Sequence, residues 1–192
     1  MSPVICAKEK EPSPYTLYVN EIIKSFTKEM QRDFGLNCMG SGGSMPYDVR
    51  SIDIMLSSYG RKNIEDARRL GVASVQRLIK TINAHEKIRP YLCQYPFTAN
   101  NVSISISFYG HNNKYYLDGS VAGIGLLHGK VFYDKAEKKT ISYKAMLLPN
   151  GDVLEPAGKR VVERLVDLME ESYEEALAIV EKEQEDASKS SQ

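Results

Sequence analysis

An amphipathic helix followed by a strictly alternating strand dominates the middle of the chain. Between Asn63 and Pro90, apolar residues recur every three or four positions, which places them on one stripe that can be buried. From Val102 to Phe108, apolar residues alternate with serines, as in a strand with one buried face. The two periods predict a helix packed on one face of a sheet whose other face carries a row of serines. The fold class is therefore α+β.

The central helix has a start signal and a stop signal. Asn63 can accept a hydrogen bond from the first free amides, and Glu65 and Asp66 place negative charge at the positive end of the helix dipole. Pro90 cannot continue the helix, because proline lacks the amide proton and disfavours α geometry in the residue before it. These signals bound the helix between residues 63 and 90.

Similar patterns predict the other elements. They are a helix over 15–34 ended by Gly35, strands over 49–59, 121–133 and 140–148, and a C-terminal helix that begins near Pro156. Together with the strand at Val102 they predict an antiparallel sheet of about four strands, with the helices packed on one face.

The length of 192 residues and the apolar content of 42% predict a single domain, which we place at residues 15–181. Residues 1–14 combine three prolines with alternating lysines and glutamates, a composition that predicts a flexible arm. Residues 182–192 are acidic and polar without apolar side chains to bury, which predicts a disordered tail.

Charge and hydropathy exclude some classes of partner. The chain has 25 basic and 25 acidic residues, so no overall positive field favours nucleic acid. From Arg160 onward, four basic residues stand against ten acidic ones, which indicates a solvated acidic helix face or a docking face for a basic partner. No apolar run is long enough for a transmembrane segment. As written the chain is expected to be soluble, and to be exported if an N-terminal signal has been removed.

The cysteines and histidines match no metal or redox motif. Cys6, Cys38 and Cys93 are an odd number at spacings unlike those of zinc sites, and predict reduced thiols. A bridge between Cys38 and Cys93 stays open for an exported protein. None of the three histidines has a metal-ligand spacing to another donor, so neither a metal nor a cofactor is predicted.

Glycines and tyrosines in the predicted sheet region indicate a binding surface. Glycine weakens a strand interior unless a bend, a close approach or a groove needs the missing side chain. Tyrosine suits recognition, because its ring is apolar and its hydroxyl is polar. The glycine-rich segment 40–46 predicts a flexible loop beside this surface. The predicted surface residues are Tyr109, Tyr115, Tyr116, His128, Gly42 and Gly43.

The leading interpretation is a non-enzymatic binding or protein-interaction module for a protein or small-molecule partner, and a homo-oligomer is left open. The alternative is a small hydrolase or transferase. In that alternative His111 or His128 would act as a general base and Asp118 would orient it. It requires the strands to bring at least two of these three side chains within hydrogen-bond reach.

Several stretches in the middle third of the chain resemble a family of uncharacterised bacterial proteins. They are 83–92, the segment Tyr95-Pro-Phe-Thr98, the strand from Val102 to Phe108, and the glycine-rich loop with Met45-Pro46. Proteins of that family tend to carry an export signal. The resemblance implies a bacterial protein of no established activity, and it assigns no catalytic residue.

Overall fold

A computed structural model describes residues 13–147, 149 and 153–190 of the protein. The arm predicted over residues 1–14, with Cys6, lies outside the described residues except for its last two positions. Pro14 is already the first residue of helix α1.

The described residues form three α-helices and eight strands. The helices are α1 (Pro14–Phe34), α2 (Ile64–Ala84) and α3 (Tyr173–Lys189). The strands are β1 (Asn37–Ser44), β2 (Ser51–Tyr59), β3 (Val102–Tyr109), β4 (Val121–Leu127), β5 (Lys130–Tyr143), β6 (Met146–Leu147), β7 (Val153–Glu155) and β8 (Gly158–Ser172). Two short 3₁₀ helices, Glu86–Tyr91 and Ala99–Asn101, connect α2 to β3.

The main sheet is mixed and has six strands in the order β1-β2-β3-β4-β5-β8. The α+β class is confirmed, but the antiparallel sheet of about four strands is corrected in two respects. β2 and β3 are parallel, because α2 crosses over between them and returns the chain to the same end of the sheet. β1 and β8 add one strand at each edge, and β6 and β7 form a separate two-stranded ladder.

The start of α2 agrees with the sequence, but its end does not. The Asn63 side chain accepts a hydrogen bond from the Asp66 amide at 2.7 Å, as the capping pattern predicts. The helix already ends at Ala84, since His85 has extended backbone angles. Pro90 lies within the following 3₁₀ helix and is not the residue that stops α2. At the end of α1, Gly35 has the predicted left-handed conformation, with a φ of 65°.

The glycine-rich segment 40–46 is not a loop over most of its length. Residues up to Ser44 belong to β1, which pairs with β2 in antiparallel fashion at the edge of the sheet. Its lack of side chains allows close approach to β2: a Cβ on Gly43 would lie 2.3 Å from the carbonyl oxygen of Ser51. A segment whose composition is typical of a loop therefore forms a strand here, because it pairs with β2 and because Gly43 has no side chain to block that pairing.

The C-terminal helix begins at Tyr173, 17 residues after Pro156. The segment Gly158–Ser172 is instead strand β8, paired with β5 along its whole length. Its valines and leucines have a spacing that fits either structure, but β-branched residues favour a strand when a partner is present. The actual start is a capping box, in which the Glu175 amide donates to Ser172 Oγ at 3.1 Å and the Ser172 amide donates to Glu175 Oε2 at 2.9 Å.

The helix α3 also continues through Lys189, although the sequence predicts a disordered tail from residue 182. Glutamate, lysine, glutamine and alanine are good helix formers, so the cap at Ser172 is followed by a segment that can propagate without burying apolar side chains.

The core lies between the helices and one face of the sheet. α2 packs across β3 and β4 and contacts both α1 and α3. Fully buried side chains come from every layer, among them Phe26, Met30, Leu78, Ile104, Ile106 and Phe108. One buried polar cluster joins α2 to the sheet: Arg68 forms a two-pronged ion pair with Glu171, at 2.8 and 3.1 Å.

Candidate binding face

The sheet face that no helix covers, called the open face below, carries rows of small and polar residues. Directly opposed residues of six strands form one row: Asn37, Ser57, Ser107, Gly123, Asp134 and Asp167. The adjacent row consists of Gly40, Met55, Ser105, Gly125, Phe132 and Glu170. The predicted serine row is therefore confirmed.

The glycines of β4 leave space on this face. A Cβ on Gly125 would meet nothing within 4 Å, and one on Gly123 would meet only the Ile106 carbonyl oxygen, at 3.5 Å. These two positions are thus not crowded by another group. Together with Ser105 and Ser107 of β3, these glycines form a strip of small residues across the middle of the sheet between Met55 and Phe132, and we call this strip the hollow.

Two of the predicted tyrosines border the hollow at the end of β3. The rings of Tyr109 and Tyr115 stack with centroids 4.8 Å apart, and their hydroxyl oxygens are 3.2 Å apart. Partial burial, and then the hydrogen bond with Tyr109, raise the pKa of Tyr115. Tyr109 lies on the same face of β3 as Ser107, so the stacking of Tyr115 on Tyr109 places the segment after β3 against the open face.

The rest of the β3–β4 connection forms a polar cluster beside this pair. The guanidinium of Arg61 lies 4.8 Å from the ring centroid of Tyr116 and 2.8 Å from the Asp118 carboxylate. The Tyr59 ring stacks on His111 with centroids 6.3 Å apart, and the Tyr59 hydroxyl donates to Asn113 at 2.9 Å. These contacts fix the connection as a border of the open face.

The structure does not bring together the acid–base groups of the alternative interpretation. His128 lies in the turn between β4 and β5, whereas His111 and Asp118 lie before β4. β4 has seven residues, so the two ends are about 20 Å apart. Asp118 accepts hydrogen bonds from the amide and hydroxyl of Ser120, which lower its pKa together with Arg61. His111 stacks on Tyr59, and no two of the described residues His111, Asp118 and His128 form a hydrogen bond with each other, so the geometry does not support the His/Asp enzyme interpretation.

His128 is also far from the tyrosines with which the sequence groups it. It has a φ of 50° and Gly129 has a φ of 74°, so the two form a tight turn that divides the strand predicted over 121–133 into β4 and β5. Gly42 and Gly43 lie on β1, at the edge of the sheet. Of the six predicted surface residues, only Tyr109, Tyr115 and Tyr116 lie at one place.

Two aspartates lie side by side on the open face and are not among the surface residues predicted from the sequence. Asp134 and Asp167 are directly opposed on β5 and β8, and neither carboxylate has an ion-pair or hydrogen-bond partner among the described residues. Partial burial, and then the charge of Asp167, raise the pKa of Asp134. Like charges in directly opposed positions destabilise a sheet, so this pair is unfavourable for folding. Only the strand register reveals it.

Removal of one of these charges is expected to stabilise the protein. Because its folded-state pKa is raised, the Asp134 carboxylate costs stability above that pKa, and the cost disappears as pH falls below the ordinary aspartate value. Asp134→Asn should raise the free energy of unfolding by roughly 0.5 kcal/mol at neutral pH and have little effect near about pH 3. Urea unfolding at both pH values measures this, with Asp53→Asn on the same face as the control. A loss of stability at neutral pH would show that Asp134 makes a favourable contact.

Two cavities lie elsewhere on the described surface. One, of about 580 Å³, is lined by Arg61, Lys62 and the first turn of α2, where Glu65 and Asp66 offset its positive charge. The other, of about 610 Å³, lies between α1 and α2, where Arg77 is paired with Glu29 at 2.8 Å. The basic side chains that line these two cavities therefore have acidic residues of the protein itself beside them.

The second cavity contains one polar atom without a partner. His85 Nε2 is 3.2 Å from a Glu21 carboxylate oxygen, while its Nδ1 is buried without a hydrogen bond. This is the one such side-chain atom in the described part of the chain. One ring nitrogen without a hydrogen bond is too little to indicate which ligand, if any, this cavity binds.

The remaining candidate chemistry is limited. Cys38 and Cys93 are free and exposed, so the bridge between them is not formed, and Cys6 lies outside the described residues. Within residues 13–147, 149 and 153–190, no group of three or more histidines, cysteines and carboxylates could hold a metal ion. In the same ranges, no helix is both long enough and apolar enough to cross a membrane.

Comparisons with known proteins find no matching family model, no matching curated protein and no matching solved structure. The resemblance, with the bacterial origin and export that it implies, stays a prediction.

Proposed function

We propose that this protein is a non-enzymatic binding module, whose partner docks on the open face through a positively charged segment. The observation that carries the proposal is the pair Asp134 and Asp167, which stand without cationic partners beside a hollow of serines and glycines. A partner cation would offset the repulsion between the two carboxylates. The repulsion that destabilises the free protein would therefore favour the complex.

The border of the hollow supports recognition of an extended segment. Tyr109 and Tyr115 offer a stacked aromatic surface at one end, and Met55, 54% exposed, offers an apolar contact near the other edge. Tyrosine and methionine are favoured at protein interfaces, because they supply large contact areas that adapt to a partner. Between them the small residues leave room for a main chain to lie on the sheet.

Charge on the body of the open face favours a cationic partner. Asp53, Asp134, Asp167 and Glu170 lie on this face with Lys130, which is paired with Glu170 at 2.7 Å. Three carboxylates therefore remain for a partner. Lysine and arginine side chains of a protein segment are the groups that fit them.

The proposal is tested by titration with a lysine-rich peptide of about ten residues, followed by backbone NMR shifts. The expected shifts fall on β2 to β5, on β8 around Asp167 and on Tyr115, and a glutamate-rich peptide of the same length should produce none. Asp134→Asn combined with Asp167→Asn should weaken binding about tenfold, because two partly exposed ion pairs are lost.

The control variant is Asp48→Asn, which removes an exposed carboxylate outside the main sheet. Shifts confined to the helices, or equal weakening by the control, would contradict the assignment of the open face. Weak binding of both peptides alike would show that charge does not select the partner.

A further inference from the structure

The outer edge of β8 is a second surface, separate from the open face. β8 is the last strand of the sheet, and no described strand lies on its outer side. It is 15 residues long and contains no proline. Three of its apolar side chains are exposed: Val161 at 63%, Leu165 at 42% and Leu168 at 37%. A long apolar edge is a template for pairing with another strand.

Half of β8 belongs to a two-stranded arm. β4 pairs with β5 only as far as Lys135, and beyond that residue β5 has β8 as its one partner in the described chain. The arm consists of residues 136–143 and 158–165 and extends past the rest of the sheet. An isolated two-stranded ribbon is at best marginally stable in water, so a third strand beside the arm would support it.

The two halves of β8 differ in charge. The arm half carries Lys159, Arg160 and Arg164 with one acidic residue, Glu163, and Arg164 is paired with Glu137 of β5. The body half carries three acidic residues and no basic one: Asp167, Glu170, which is paired with Lys130, and Glu171, which is paired with Arg68. Two copies of this strand placed side by side in opposite directions would set each basic half beside an acidic half. The edge is thus complementary to itself when antiparallel.

We propose that β8 pairs with β8 of a second copy of this chain, in antiparallel direction about a two-fold axis near Leu165. The arm of each copy then lies along the body of the other, and the two sheets join into one. Such an interface uses the same surface patch on both copies and closes after two subunits, which protects both edges from further growth. The pairing uses the sheet edge and does not depend on the function proposed for the open face.

The oligomeric state of the full chain in solution tests this inference by sedimentation velocity. The unmodified protein is expected to be a dimer at about 0.1 mM. Val161→Glu places a negative charge beside the acidic body half of the other copy and should raise the dissociation constant at least about tenfold. Met39→Glu is the matched control, since Met39 is 66% exposed on β1 at the opposite edge. This control should leave the dimer intact.

Cross-linking locates the interface. In a chain with Cys6, Cys38 and Cys93 changed to serine, Leu165→Cys should form an intermolecular disulfide on mild oxidation, because residues near a two-fold axis of an antiparallel pair approach within about 5 Å. Met39→Cys should not. Thermal unfolding of each variant confirms that it is folded.

Three results would overturn the proposal. They are a monomer at the same concentration, equal weakening of the dimer by Val161→Glu and Met39→Glu, and failure of folded Leu165→Cys to cross-link faster than Met39→Cys. Binding of the monomeric protein to a DNA duplex, lost in Arg160→Glu, would instead assign the basic arm to nucleic acid and would also overturn it.

Discussion

Glu171→Leu is expected to lower the free energy of unfolding by about 3 kcal/mol. The Glu171 side chain is 11% exposed and the Arg68 side chain 10%, so the substitution leaves a guanidinium in a nearly dry site without its anion. Glu171 also accepts a hydrogen bond from the hydroxyl of Tyr133, which is fully buried. Burial, and then this bond to the carboxylate, raise the pKa of Tyr133. The single substitution therefore leaves both the Arg68 guanidinium and the Tyr133 hydroxyl without their partner.

The double variant Arg68→Met with Glu171→Leu separates the cost of an unpaired charge from the contribution of the pair. Replacement of both charges by apolar groups of similar volume often restores most of the stability, because no desolvated ion remains. We expect the double variant to recover at least half of the loss, measured by urea unfolding of the wild type, both single variants and the double variant. Additive losses in that cycle would show that the two residues do not act as a pair.

Ile106→Ala is expected to cost about 3 kcal/mol of folding free energy. The Ile106 side chain is 1% exposed and lies on β3 beneath the helices, so truncation leaves a cavity that a rigid sheet cannot close. Ser105→Ala, at the neighbouring position on the opposite face, is the matched control. Ser105 is exposed, and its change should shift stability by less than about 0.5 kcal/mol. Chemical unfolding of both variants compares the two faces of one strand directly.

Similar costs for the two substitutions would contradict the two-sided character of β3. A small loss at Ile106 alone would indicate that the helices settle into the space, which crystallography of the variant would show as a displacement of α2.

Elements whose local pattern and tertiary role agree could be predicted from the sequence. α1, α2, β2 and β3 have the expected periods, and the caps at Asn63 and Gly35 behave as their residue types suggest. The segment 158–172 shows the limit of this reasoning. Its apolar spacing fits a helical stripe, and only its long antiparallel pairing with β5 decides for a strand. The parallel junction of β2 with β3 likewise follows from a crossover that no local pattern specifies.

Local sequence patterns also predict part of the candidate site. Alternation in β3 places the serines on one face, and the tyrosines after β3 are close in the sequence as well as in space. The approach of Asp134 to Asp167 depends on the register between β5 and β8, which shifts by one residue next to Asp134. A shift of one residue moves a side chain to the other face, so a sequence without the register cannot locate this pair.

The parallel junction between β2 and β3 has a consequence for how the molecule assembles. β3, β4 and β5 follow one another through short connections, while β1 and β2 reach them only through the long crossover that contains α2. Closing that crossover costs more chain entropy than closing a hairpin. Ser57 and Ser107 stand on opposite sides of this junction, so the open face forms only after the early and late parts of the chain have met. A nascent chain that ends within β2 has neither the serines and glycines of the hollow nor the pair Asp134 and Asp167, which lie on β3, β4, β5 and β8.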